Sequence, residues 1–95
     1  MTTNQPSTQL PAEYRIEDGI QVIRMIGTDA SIYVIPAGET TIVIGKEQYV
    51  TVVHGTIQRG KNMFTPRTRF LVPEGKLVLS CKEPAAFLLD GSTTP

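Results

Sequence analysis

Residues 69–89, RFLVPEGKLVLSCKEPAAFLL, constrain the fold of this chain more than any other stretch. Three apolar runs of strand length are separated by Pro73-Glu74-Gly75 and Glu83-Pro84. Glycine opens positive φ at no steric cost and proline removes a ladder donor, so both breaks are turns for a physical reason. The same rhythm runs back to Tyr14 through Asp18-Gly19, Gly27-Thr28-Asp29, Pro36-Ala37-Gly38, Gly45-Lys46-Glu47, His54-Gly55 and Gly60-Lys61-Asn62. It predicts strands at 14–17, 20–26, 31–35, 40–45, 48–54, 56–58, 69–72, 76–82 and 85–89. No window sustains a 3.6-residue apolar period, and β-branched residues fill the runs. Many short strands at this spacing make a sandwich or barrel, an all-β fold.

Alternation along these runs is two-sided. Ile20, Val22 and Ile26 oppose Ile23 and Met25, Ile32 and Val34 oppose Tyr33 and Ile35, and Ala85, Phe87 and Leu89 oppose Ala86 and Leu88. A solvated sheet face is polar, so apolar residues on both faces require a cover on the outside. With no helix to supply it, a second subunit is the expected cover, and a homo-oligomer is expected. The chain's 95 residues make one small domain, which gains from such extra burial. Residues 1–12 are polar around a lone Leu10 and are expected to be a flexible arm, or an arm that orders on an assembly partner. Residues 13–90 are expected to form the barrel, and 91–95 a flexible tail.

Charge excludes some partners. Nine basic and nine acidic side chains cancel, so no global field draws the chain to nucleic acid or to an anionic membrane. No apolar run approaches the ~20 residues of a spanning helix, and MTTNQPSTQLPAEY lacks the regions of a secretion signal. With a single cysteine, a cytoplasmic location is expected.

Pro36-Ala37-Gly38 and Pro73-Glu74-Gly75 bracket a hairpin ending in Val52-Val53-His54-Gly55-Thr56-Ile57. This arrangement resembles a cupin, with a mid-barrel V-x-G-x-[IL] turn and then a V-P-x-G turn. Within cupins it is similar to the small pyrimidine/purine nucleoside phosphorylase family over residues 32–89. Phe70-Leu71-Val72-Pro73 and Glu83-Pro84-Ala85-Ala86-Phe87-Leu88 carry most of the match. Gln48 stands where that pattern has an acidic residue, and Ile16-Glu17-Asp18-Gly19-Ile20 only echoes its early F-D-G-K-V. The resemblance implies a small cupin-like β-barrel (double-stranded β-helix, or jelly roll) and nucleoside phosphorolysis.

Cupins commonly hold metal with paired histidines and a glutamate. Here the chain reads Glu39-Thr40-Thr41 after the first turn, Val78 falls three residues after Gly75, and His54 is the sole histidine. A tight transition-metal site takes three or four suitable ligands, so a metal-free barrel with no cofactor is expected. Cys81 shares parity with Leu77 and Leu79 and is expected in the core. His54 shares parity with Val50 and Val52, which suggests the barrel mouth. There it would bond backbone through one nitrogen, contact a ligand or act as a general acid.

From Gln48 to Pro73 there is no acidic residue, yet Arg59, Lys61, Arg67 and Arg69 fall there. Guanidinium forks suit phosphate oxygens, and phosphorolysis needs a bound phosphate beside the anomeric carbon. Arg67 and Arg69 share a face if this piece is extended. The alternative is a solvated basic loop. Tyr49, His54 and Phe64 are candidate nucleoside contacts, and Met63-Phe64 either plugs the barrel or stacks on a base. Three functions stay open: phosphorolysis, a non-catalytic interaction or structural module in a larger assembly, and ligand binding without turnover.

Overall fold

Alternating apolar residues fold the chain into two antiparallel sheets that share one core. The computed structural model describes residues 12–91. The strands are β1 (Ala12–Glu17), β2 (Ile20–Met25), β3 (Ser31–Ile35), β4 (Gly38–Ile44) and β5 (Gln48–His54), then β6 (Ile57–Arg59), β7 (Asn62–Phe64), β8 (Arg69–Val72), β9 (Gly75–Cys81) and β10 (Ala85–Asp90). One sheet has the order β1-β2-β3-β10-β5-β8 and the other β4-β9-β6-β7. The fold is a small cupin-like barrel. Ile35, Ile44, Val50, Val72, Leu79 and Phe87 fill the space between the sheets and are fully buried. On β9 and β10 the inward members are Leu77, Leu79, Cys81, Ala85, Phe87 and Leu89, the parity that the sequence predicts.

Three expectations are corrected. Asn62–Phe64 forms a strand, β7, where the sequence reads only a turn at Gly60-Lys61-Asn62. Ala12 belongs to β1, not to the polar arm; residues 1–11 of that arm, and 92–95 of the tail, lie outside the described residues. The parity of His54 is reset by a bulge: Phe87 pairs with Val52 but Ala86 pairs with His54, which moves His54 to the outer face of the six-stranded sheet. It is exposed there.

The β1–β2 hairpin extends the six-stranded sheet beyond the four-stranded one. Every residue of β1 is exposed, and the molecule measures 56 × 33 × 22 Å. Arg15 Nε pairs with Glu17 Oε2 at 3.3 Å on one face of β1, while Tyr14 and Ile16 stand on the other.

Candidate functional site

β6 and β9 meet at one pair of residues, Gln58 opposite Ser80, and then part. The opening is a cleft of about 470 Å³. Thr56, Gln58 and Met63 line one side, and Ser80, Lys82 and Glu83 the other. Gln58 pairs with Met63 across β6–β7 as well, so Gln58, Met63 and Ser80 share the outward face, opposite the buried Ile57, Leu79 and Cys81. Gln58 Nε2 donates to the Gly60 carbonyl at 3.0 Å, which leaves its Oε1 as a fixed acceptor.

Gly55 sets the end of the cleft. It has φ +82°, and a Cβ there would lie 3.1 Å from Ala85 Cβ and 3.3 Å from the Pro84 carbonyl oxygen. Only glycine both reaches that conformation easily and lets the β5–β6 connection press on the β9–β10 turn. Cys81 borders the cleft, and its inward thiol donates to the Pro36 carbonyl at 3.2 Å. Burial pushes its pKa above the ordinary 9.0, with the Gly38 backbone pulling weakly the other way. Buried and hydrogen-bonded, the thiol packs as a small apolar group.

The residues singled out in the sequence are divided among separate places. Ile57 and Phe64 pair across β6–β7, as do Arg59 and Asn62, on the face opposite the cleft. There the Arg59 guanidinium lies 5.9 Å from the Phe70 ring centre, and Phe70 stacks on Phe64 at 4.0 Å. Phe64 thus packs inward, whereas Met63 faces out and lines the cleft. Lys61 is exposed at the β6–β7 turn.

Arg69 lies on the outer face of the six-stranded sheet, 4.1 Å above the Tyr49 ring. Its Nη2 stands 3.6 Å from Asp90 Oδ1, an enclosed carboxylate oxygen without a hydrogen-bond partner in the described structure. Arg67 precedes β8 with φ +77°, so strand alternation does not align it with Arg69. Its N–H donates to the Val52 carbonyl at 2.7 Å.

Sequence reasoning missed Gln58, Ser80, Lys82 and Glu83. No local pattern marks them, because the cleft arises from a one-pair ladder between strands distant in sequence. Among the described residues no three of His, Cys, Asp and Glu come together as a metal-binding group. The inward side chains of β4 and β9 are aliphatic apart from the Thr40 hydroxyl and the Cys81 thiol, a donor set that does not fit a transition metal. No helix among the described residues is long and apolar enough to cross a membrane.

Solved structures share this architecture. A Vibrio parahaemolyticus protein of unknown function superposes with a TM-score of 0.68 at 21% identity, over 82% of this chain and 95% of that one. A DUF1255 protein of unknown function from Acidithiobacillus ferrooxidans gives 0.64 at 19% identity, over 94% of this chain and 100% of its own. A cupin superfamily protein from Desulfitobacterium hafniense gives 0.50 at 14% identity, over 92% of this chain and 80% of that one. At these identities the likeness is one of fold. No protein-family model matches the chain, and no curated protein matches it.

Proposed function

We propose that this protein binds a nucleoside in the cleft between β6 and β9 and cleaves it with phosphate. The cleft carries the reading. Its volume of about 470 Å³ lies within the range of small-molecule sites, and it sets apolar surface beside a few polar groups. In this reading Glu83 accepts from ribose hydroxyls and Gln58 Oε1 from a base N–H, with the Met63 thioether against the ring. Lys82 supplies a cation at the cleft, and Arg67 stays a candidate phosphate ligand. In the reaction a phosphate oxygen bonds to the anomeric carbon as the carbon–nitrogen bond breaks. The electron pair leaves with the base, which takes up a proton. The family resemblance in the turns and in the 83–88 segment supplies the reaction type. Arg59, Lys61 and Arg69 stay candidate phosphate ligands, with Tyr49, His54 and Phe64 candidate nucleoside contacts. For Arg69, phosphate would have to compete with Asp90.

Incubating the purified chain with a panel of purine and pyrimidine nucleosides, with and without phosphate, tests this reading. Phosphate-dependent release of free base is expected, reduced by Lys82→Ala and Glu83→Gln. Absence of base release across the panel from folded protein would reject it. The second reading, a non-catalytic interaction module, is favoured by one observation: Tyr14, Ile16, Val53 and Leu71 are exposed on the six-stranded sheet.

A further inference from the structure

The outer face of the six-stranded sheet carries apolar side chains along cross-strand rows, interrupted at Gln21, Thr51, His54 and Arg69. Cross-strand register gives Tyr14, Ile23, Ile32, Leu88, Thr51 and Arg69 in one row across all six strands. Ile16, Gln21, Val34, Ala86 and His54 form the next across five of them. On β1 the pattern is the reverse of a lone barrel's. Glu13, Arg15 and Glu17 share the core-side face, and Tyr14 and Ile16 take the face that ought to be solvated.

Two polar pairs lie within this outer face. Tyr14 Oη donates to Gln21 Oε1 at 3.0 Å, and Arg69 faces Asp90. Tyr14 is 59% exposed, Ile16 61%, Val53 55% and Leu71 43%.

We infer that this face is the contact surface of a homodimer, two copies of the chain packing sheet on sheet. The inference does not rest on the phosphorolysis reading. Three features fit a second copy of the chain. The paired Arg69 and Asp90 leave a near-neutral face that offers another protein little charge to read. Two sheets of the same twist pack aligned, at about −30°, and two copies meet that condition automatically. Six strands about 4.8 Å apart and about six residues long present about 600 Å² in projection, close to the ~800 Å² per partner of a stable interface. Small side chains at Ala86 and Thr51 lie beside Leu88 and Val34, so the surface has the relief that interdigitation uses.

Sedimentation equilibrium of the full chain between about 1 and 50 μM tests the inference, with dissociation constants compared across variants. The parent is expected to be dimeric at the upper end. Val53→Glu and Leu71→Glu alter side chains that are exposed in the single chain, so each is expected to keep the native circular dichroism. Each is expected to raise the dimer dissociation constant about 100-fold or more, because every substitution enters the interface twice. Val43→Glu, on the outer face of the other sheet and 74% exposed, is expected to change nothing.

A parent that is monomeric at 50 μM would overturn the inference. So would a dimer that survives both substitutions, or one that Val43→Glu weakens equally. Amide exchange of the unmodified parent gives a reading independent of any variant. Protection of β1 and β2 is expected to rise with protein concentration, and its constancy would count against the dimer.

Discussion

Cys81 shows how one position is legible in sequence and what its surroundings add. Its parity with Leu77 and Leu79 places it in the core, but its bond to Pro36, 45 residues away, is invisible in the sequence. Because burial raises its pKa in the folded state, the thiol's stabilisation is complete below the ordinary value of 9.0. Above that pH the unfolded chain loses its proton first, and stability declines until the folded value is passed. Urea midpoints of the parent are therefore expected to fall more than those of Cys81→Ala between pH 8 and about 10. Equal declines would mean that the thiol is not sequestered. Arg69 teaches the opposite lesson, since nothing in Arg67-x-Arg69 reveals Asp90. Arg69→Ala is expected to cost about 1 kcal/mol or less, as partly exposed pairs do. Adding Asp90→Asn should recover part of it, as read from thermal midpoints. Arg67 makes no ion pair among the described residues. Arg67→Ala should therefore leave the midpoint unchanged. If Arg67 holds phosphate, titration calorimetry should record an affinity loss of about 10- to 150-fold, with Arg67→Lys a partial rescue.

At the scale of elements, nine of the ten strands were legible, the short β6 and β8 among them, and only β7 was not. β5, β9 and β10 carry β-branched or aromatic residues between glycine and proline turns, and their predicted bounds lie within a residue of the observed ones. β7 is only three residues, Asn62–Phe64, and its polar start reads as part of the turn before it. The bulge opposite Phe87 was equally hidden, and it alone reversed the face assigned to His54. The cleft depends on such details, because its end is fixed by Gly55 pressed against Pro84 and Ala85. Gly55→Ala is expected to destabilise by about 1–3 kcal/mol through its positive φ and crowded Cβ. A denaturation midpoint matching the parent's would show that this joint gives way easily. Leu79→Ala, at a fully buried site on β9, is expected to cost about 2–5 kcal/mol in the same measurement.

For the whole molecule, the two-sided apolar pattern in the sequence becomes a continuous outer face on the six-stranded sheet. The sequence could not give its extent, since the rows exist only once β10 lies between β3 and β5. If two copies share that face, the thermal midpoint should rise with protein concentration as mass action requires. A concentration-independent midpoint would argue for a self-sufficient monomer. The cleft lies on the other sheet, so dimerisation through this face leaves Gln58, Ser80, Lys82 and Glu83 open to solvent. That arrangement makes the cleft the place where chemistry should be sought. Titrating uridine, adenosine and inorganic phosphate into ¹⁵N-labelled protein, with amide shifts followed residue by residue, tests it most directly. Saturable shifts centred on Gly55, Thr56, Gln58, Ser80 and Lys82 are the predicted result. Shifts confined to the Arg59–Phe70 contact on the face opposite the cleft, or none with any of the three ligands, would contradict the assignment of the cleft as the functional site.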